Sequence, residues 1–217
     1  MIHLRICSLA LCALLVVSPS LAQTATNLSV NAQLLVGARH GDLKAVERAL
    51  AQGAVPNSRN RLGKTPLLMA SEKGNVALAE TMLKAGADVN LASLERVTPL
   101  MAASYGGHVV LARLLLDAGA RTEPIDQMKK PAIIYAAGLG HVDVLALLLD
   151  RGVAVDAAYE NDLTALMWAA GQGQTGAVKL LLQRGANPDL RDARGMTAAE
   201  IAKQASHTHV LALFEAR

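Results

Sequence analysis

The fold is decided by residues 98–120, TPLMAASYGGHVVLARLLLDAGA, which predict two short helices joined by a glycine turn. Thr98 is a favourable N-cap, and Pro99 suits the first helical position because no backbone N–H is needed there. A pair of glycines ends the first helix, since glycine adopts the left-handed C-cap without strain. The second helix runs from about residue 108 to 117 with a broad apolar face, and Gly119 ends it.

Several features of this stretch recur along the chain every 33 residues. They are the capping threonines Thr65, Thr98, Thr164 and Thr197, with Pro131 in the same register; the turn glycines Gly41, Gly74, Gly107, Gly140 and Gly173; the closing glycines Gly53, Gly86, Gly119, Gly152 and Gly185; and the leucines Leu50, Leu83, Leu116, Leu149 and Leu182, which we assign to one core position. A fixed period of this length predicts a solenoid of stacked helix pairs.

The repeated motifs resemble those of the ankyrin-repeat family, and the match covers roughly residues 31–217. They are Thr65-Pro-Leu, Thr98-Pro-Leu, Gly107-His108, Gly140-His141 and Gly86-Ala-Asp-Val-Asn90. The resemblance implies an all-α solenoid of about six helix-turn-helix repeats with projecting β-hairpin loops. It also implies a role in binding protein rather than in catalysis.

The expected repeats lie near residues 31–62, 63–95, 96–128, 129–161, 162–194 and 195–217. Asn31 is the expected cap of the first helix. Pro131 replaces the capping threonine of the fourth repeat, so that helix is expected to begin less firmly. The first and last repeats carry polar residues at positions that are apolar elsewhere, which suits the two ends of a stack.

The N-terminus, residues 1–22, reads as a secretory signal peptide. A weakly basic start precedes a run of twelve mostly apolar residues, and small residues precede the expected cleavage after Ala22. The run is shorter than the about 20 residues of a membrane-spanning helix, although an uncleaved anchor is the alternative. Cleavage would remove Cys7 and Cys12, the two cysteines of the chain. Residues 23–30 are expected to form a disordered lead-in.

Composition excludes several function classes. The chain is 52% hydrophobic but only 2% aromatic, which suits slim stacked helices better than a globular core. The formal net charge of +3 is small and spread along the chain, so we expect no nucleic-acid partner. We expect no membrane association after signal cleavage, and a monomer.

No constellation of residues indicates catalysis. The sequence lacks a nucleophile elbow, a phosphate-binding glycine loop and a His-Glu-x-x-His motif. His207 and His209 are too few to make a metal site, whereas His108 and His141 are expected to bond backbone groups at the turns. We therefore predict a protein that is not an enzyme and has no catalytic residue, metal or cofactor.

The resemblance implies that the partner surface consists of the loop tips and the exposed edge of the first helices. The residues that it selects are Arg59, Arg61, Lys64, Glu72, Lys73, Arg96, Tyr105, Lys129, Lys130, Glu160, Asn161 and Trp168. Positive charge concentrates in the early loops, and acidic residues follow around the fifth repeat. Solvation alone explains such charges; the sharper hypothesis is a groove for an acidic partner segment near the early repeats.

Tyr135 and Trp168 occupy equivalent positions on neighbouring first helices, and we expect the two rings to stack on each other. Packing on the inner face is one interpretation of this pair, and a binding hot spot is the other. Tyr105, at the end of its helix, is the better candidate for contact with a partner.

The sequence thus predicts a non-catalytic scaffold in the bacterial periplasm that binds a partner protein through loop tips and a concave helix face. Similarity to secreted bacterial ankyrin proteins suggests support of an envelope enzyme or a part in stress resistance. The alternative is an exported, host-directed effector that uses the same surface.

Overall fold

The structure, a computed structural model, describes residues 19–215, and this part of the chain contains twelve α-helices. The helices are α1 Pro19–His40, α2 Leu43–Ala51, α3 Pro66–Lys73, α4 Val76–Lys84, α5 Pro99–Tyr105, α6 Val109–Asp117, α7 Ala132–Gly138, α8 Val142–Asp150, α9 Ala165–Gly171, α10 Thr175–Gln183, α11 Ala198–Gln204 and α12 Thr208–Glu215. They pair as six helix-turn-helix units, which confirms the expected number of repeats.

The units stack in single file in two layers. Each odd-numbered helix packs on the next odd-numbered helix, and each even-numbered helix packs on the next even-numbered one. The buried apolar residues of neighbouring units form one continuous core along the file. This arrangement confirms the predicted all-α solenoid, because each unit buries its apolar faces only against its neighbours.

The connecting loops differ from the β-hairpins that the resemblance implied. No β-strand occurs between residues 19 and 215. Each loop is instead a tight turn closed by two backbone bonds at one residue. Ser93 N donates to Val97 O at 3.0 Å, and Arg96 N donates to Ser93 O at 2.9 Å. The two arms pair at this one residue, which is too short for a β-ladder.

The predicted caps of the first helices are present. Thr65 Oγ1 accepts a hydrogen bond from Leu68 N at 3.1 Å, and Thr98 Oγ1 accepts one from Met101 N at 3.3 Å. Thr164 and Thr197 cap α9 and α11 in the same way. Helix α7 begins after Pro131 without a side-chain cap, as predicted.

The repeated leucines are not the deepest core position, which corrects that assignment. Leu50, Leu83, Leu149 and Leu182 are only partly buried. Leu116, the fifth, is 9% exposed. The residue before each of the five leucines is fully enclosed instead: Ala49, Met82, Leu115, Leu148 and Leu181. In α6 the buried face runs through Leu111, Ala112 and Leu115, which lie three or four residues apart; Leu116 lies about 100° further round the helix.

The N-terminal helix begins earlier than expected. Helix α1 starts at Pro19 and passes through residues 23–30, so this segment is helical in the structure rather than a disordered lead-in. No glycine or proline interrupts the chain between residues 20 and 36, which permits one continuous helix. Asn31 consequently does not cap the helix; its Oδ1 accepts a hydrogen bond from Val55 N at 2.7 Å.

The predicted signal peptide lies outside the described residues except for residues 19–22. The cleavage site and the repeat boundaries therefore stay predictions. Between residues 19 and 215, no helix combines the length and the apolar character that crossing a bilayer requires.

The turn between paired helices requires a left-handed residue. Gly107 has φ 69° there, and Ser206 occupies the equivalent position in the last repeat with φ 62°. A left-handed conformation costs a residue with a Cβ about 1–2 kcal/mol, part of which glycine loses again through the entropy of the unfolded chain.

We therefore expect Ser206→Gly to stabilise the protein by about 0.5–1 kcal/mol and to raise the melting temperature by about 1–3 °C. Differential scanning calorimetry measures this change. The neighbouring Ala205→Gly is the matched control, because Ala205 has φ −80° and gains nothing from glycine. Equal destabilisation by both substitutions would contradict the prediction.

Candidate functional site

The tips of five inter-repeat loops form a row along one side of the solenoid. We define the tips as residues 61–63, 94–96, 127–129, 160–162 and 193–195. Backbone bonds link neighbouring tips: Leu94 N donates to Leu62 O at 3.0 Å, and Gln127 N donates to Glu95 O at 3.1 Å. Residues 161 and 193 are linked in the same way at 2.9 Å. These bonds hold the first three tips in register with one another, and the last two likewise.

Buried side chains at the base of the loops organise the backbone. Asp126 is 3% exposed, and its Oδ1 accepts a hydrogen bond from Lys130 N at 3.0 Å. Asn60 is half-buried and lies two periods before Asp126; its Oδ1 accepts a hydrogen bond from Lys64 N at 3.0 Å. These side chains close the turns, so they shape the loops without facing a partner.

Asp192 closes the last loop with a larger set of bonds. It is 5% exposed, and its Oδ1 accepts from Arg194 N and Met196 N, each at 2.9 Å. Burial by itself raises the pKa of this carboxyl, but the hydrogen bonds from Met196 and Arg194 and the arginine charge outweigh it. The pKa of Asp192 consequently lies below its usual value.

Three tips hold a side chain where the backbone favours glycine. Arg96, Lys129 and Asp162 have φ values of 63°, 59° and 58°, in the left-handed region. The first and last loops have Gly63 and Gly195 at the equivalent positions. The three central tips therefore retain charged side chains at a conformational cost of about 1–2 kcal/mol each.

Two of the residues selected from the sequence are engaged within the loops. Arg59 Nε donates to Gly63 O at 3.0 Å, and its Nη2 donates to Ala92 O in the next loop. Lys64 Nζ lies 2.7 Å from Glu72 Oε1. Arg59 and Lys64 thus stabilise the first two loops, and neither presents a free charge.

Several of the other charged residues selected from the sequence remain accessible. Arg61, Arg96 and Lys129 are exposed at successive tips, and none of them takes part in an ion pair within residues 30–215. Glu160 and Asn161 are exposed in a short 3₁₀ turn at the fourth tip. Lys73 is exposed at the end of α3.

Sequence reasoning missed the apolar residues of the tips. Leu62 is 59% exposed, Leu94 is 63% exposed and Met128 is 62% exposed. Leu62 and Met128 directly precede the left-handed residue of their loops, and Leu94 lies two residues before it; this position in the 33-residue period was the available signal. A large apolar side chain at a turn tip has no neighbour in its own repeat to cover it.

The aromatic residues contact each other differently from the expected stacking of Tyr135 on Trp168. Tyr135 instead meets Tyr105 edge to face, with ring centroids 5.6 Å apart. Its hydroxyl donates to Asp126 Oδ2, and burial together with this bond raises the Tyr135 pKa. Lys130 Nζ lies 4.4 Å from the centroid of the Trp168 ring, a cation–π contact.

The reason for the different pairing is that Tyr105 extends from the end of α5 towards the next first helix. It is 61% exposed, so one edge of the ring packs on Tyr135 and the rest faces solvent. Tyr105, Tyr135 and Trp168 therefore lie along the free edge of consecutive first helices, α5, α7 and α9.

A family model for ankyrin repeats matches the chain three times, over residues 34–126, 75–158 and 133–216. The matches span nearly all of the described part of the chain. The chain belongs to the ankyrin-repeat family. A search of curated proteins found no match.

Ankyrin repeats indicate a scaffold for protein interaction, and proteins of this family are typically non-catalytic. The site geometry agrees with this general role, since the exposed tips and helix edges form a surface rather than a closed chamber. Within residues 30–215, no three His, Cys, Asp or Glu residues are arranged to hold a metal ion.

The histidines of these ankyrin repeats act at the joints between units. The Nε2 of His141 lies 2.9 Å from Tyr105 O in the preceding repeat and donates to it, which confirms the predicted bond to backbone. The His141 ring also covers Gly107, where an added Cβ would lie 2.5 Å from Nδ1. His209 Nε2 makes a comparable contact with Gly173 O at 3.1 Å.

The lowered pKa of Asp192 predicts a pH-dependent contribution to the stability of this ankyrin domain. Since the folded pKa is below the unfolded value of about 3.9, the carboxylate stabilises the fold above that pH and ceases to do so as the pH falls through its folded pKa. Asp192→Asn should therefore lower the urea midpoint most near neutral pH, with the difference from wild type shrinking below pH of about 4.

Urea titrations at a series of pH values measure this effect. Asp189→Asn, in the same loop and exposed, is the matched control and should show a smaller loss at neutral pH. A difference between wild type and Asp192→Asn that stays constant across the acidic range would contradict the assigned role of the charge.

Proposed function

We propose that this ankyrin-repeat protein is a non-catalytic scaffold that binds an acidic segment of a partner protein across its first three loop tips. The observation that carries the proposal is the row of exposed Leu62, Leu94 and Met128 on loops that also expose positive charge. The basic residues of these tips are Arg61, Arg96 and Lys129.

The apolar part of this surface favours a partner. Each of the three side chains exposes about 60% of its surface, and covering that surface is worth roughly 1–2 kcal/mol per side chain. Burial against a partner recovers this free energy, whereas packing within the repeat does not. The backbone bonds between neighbouring tips already order the loops, so binding loses little entropy there.

The charged part favours an acidic partner and sets its direction. The first three tips expose three cations, Arg61, Arg96 and Lys129, against one acidic residue, Glu95, while the fourth exposes Glu160 and Asp162. An acidic segment is attracted to the early tips and repelled by the fourth, which fixes the register of binding. Of the residues first selected, Arg59 and Lys64 support this surface indirectly through their bonds within the loops.

Backbone strain at the tips is a further argument. Arg96 and Lys129 keep a long basic side chain at a left-handed position that glycine occupies in the first loop. Strained residues of this kind persist where the side chain contributes to function. Both lysine and arginine heads reach well beyond the turn, which suits contact with a partner.

We place this activity in the bacterial periplasm, where an envelope enzyme or a stress-resistance factor is the kind of partner that we propose. The support is the apolar run with small residues at its end in residues 1–22. Fractionation of the native host tests the location: we expect a shortened chain beginning near Gln23 that co-purifies with periplasmic markers. Recovery in the medium or in host cells would favour an exported effector.

Charge reversal tests the tip surface. The triple variant Arg61→Glu, Arg96→Glu, Lys129→Glu should reduce cross-linked capture of the envelope partner by about ten-fold or more, chiefly through slower association. Raising the salt concentration should weaken capture by the wild-type chain, because exposed charges are screened.

The matched control reverses three exposed cations on the even-numbered helices, with Lys84→Glu, Arg113→Glu and Lys179→Glu. It changes the net charge equally but leaves the tips intact. Equal loss of capture by both variants would show that net charge rather than the tip surface matters. Unchanged capture by the tip variant would refute the proposed surface.

A further inference from the structure

The aromatic edge of the solenoid contains two neighbouring pockets on either side of Trp168. The first, of about 190 Å³, lies between α7 and α9. We call it the Tyr135 pocket, and its principal lining residues are Tyr105, Lys130, Tyr135, Leu139, Trp168 and Gln172. The second, of about 320 Å³, lies between α9 and α11. We call it the Ile201 pocket, and its principal lining residues are Met167, Trp168, Gln172, Arg194, Ile201 and Gln204.

The Tyr135 pocket is open because the last residue of α7 is Gly138. The equivalent residues of α3 and α5 are Glu72 and Tyr105, whose side chains extend along that edge. A Cβ on Gly138 would meet Gln172 Cγ at 3.8 Å and Trp168 Cε3 at 3.9 Å, which is ordinary van der Waals contact.

Packing therefore does not require glycine at position 138. Alanine would fit there, and it favours a helix over glycine by up to about 1 kcal/mol. Gly171, at the equivalent position of α9, differs, because a Cβ there would lie only 3.0 Å from Ile201 Cγ2. The glycine in α7 leaves space where a side chain could have stabilised the helix, which points to an occupant from outside the chain.

The chemistry of the two pockets selects the kind of occupant. Their walls are largely aromatic and aliphatic, and the charged residues that line them are Lys130 and Arg194. Arg194 Nη2 is paired with Asp192 Oδ2 at 2.7 Å, so the cation that can meet a partner is Lys130. Neither pocket is lined by an acidic side chain. Two apolar side chains therefore complement the two pockets in shape, and a carboxylate beside the first of them complements the charge of Lys130.

The spacing of the pockets selects the conformation of the occupant. Neighbouring packed helices lie about 8–10 Å apart, so the two pockets repeat at roughly that distance. An extended chain with three residues per turn rises about 3.1 Å per residue, so its residues i and i+3 face one side about 9 Å apart. Gln172 lines both pockets, and its amide can bond the backbone of an extended chain passing between them.

We propose that the Tyr135 and Ile201 pockets are adjacent subsites for two apolar side chains, three residues apart, in an extended acidic segment of a partner protein. This inference rests on the proposed protein-binding function and adds a second contact region to the loop tips. Lys130, held over the Trp168 ring at 4.4 Å, is placed to meet a carboxylate next to the first apolar residue.

Intrinsic fluorescence tests the site directly, because Trp168 is the single tryptophan of the chain. The probes are short synthetic peptides with two leucines separated by two residues and flanked by aspartates. Binding should shift the Trp168 emission to shorter wavelength. A peptide of the same composition with adjacent leucines should bind about ten-fold more weakly, as should one with lysine flanks.

Two variants locate the binding. Gly138→Leu fills the Tyr135 pocket and should weaken binding about ten-fold, while Ala77→Leu, exposed on α4, is the matched control and should bind as wild type does. Lys130→Glu should weaken binding similarly, with Lys179→Glu as its control. Circular dichroism checks the fold of each variant, and the Lys130 pair remains informative if Gly138→Leu does not fold.

The outcomes separate this inference from the proposed function. If neither Gly138→Leu nor Lys130→Glu changes the affinity for the peptide, the assignment of the two pockets as subsites is refuted, but the proposed protein-binding function is not. No peptide binding, with partner capture still sensitive to the tip charges, would refute the pockets alone. Tighter binding of a helical peptide, or of free leucine amide, would refute the extended segment as occupant. Loss of both peptide binding and tip-dependent capture would refute the proposed function as well.

Discussion

The structure depends on hydrogen bonds between consecutive repeats, which fix each unit on the one before it. Asn90 Oδ1 accepts from Arg121 N at 2.9 Å, and Asp156 Oδ1 accepts from Asn187 N at 2.9 Å, one repeat apart in each case. On the outer layer, Arg184 reaches back to Asp150 at 2.6 Å. These contacts set the position of each repeat on the one before it, and the apolar faces that neighbouring repeats bury against each other make the repeats stable only together.

The same contacts explain why loops without regular secondary structure can serve as a binding surface. The tips bond to each other through backbone groups, and Asp126 and Asp192 hold the turns from below. A surface ordered before binding retains more of the interaction free energy as affinity. The scaffold thus positions exposed Leu94 and Arg96 without burying either of them.

The sequence predicted the features that depend on one residue type. It did not predict the features that depend on contacts with neighbouring helices and loops. A capping threonine such as Thr98 and a turn glycine such as Gly107 each have one physical role. The period of these residues therefore located the repeats from the sequence alone. How deeply a leucine is buried depends on how its helix is rotated in the stack. Whether Arg59 has a free charge depends on its hydrogen bond to a carbonyl in the next loop. Likewise, Tyr135 contacts Tyr105 because the Tyr105 side chain extends towards it, which the position of Tyr135 within its repeat does not reveal.

The repeats differ from one another in a way that distinguishes residues that stabilise the fold from residues that are free to contact a partner. Positions that keep one residue class in most repeats, such as the capping threonines, hold the helices. The equivalent position near the end of the first helices changes from Glu72 and Tyr105 in the early repeats to glycine at Gly138 and Gly171. Because this edge lies outside the continuous core, its residues can vary in size and charge at little cost in stability. A groove whose shape differs from repeat to repeat binds a segment in one register only, which a uniform edge could not do.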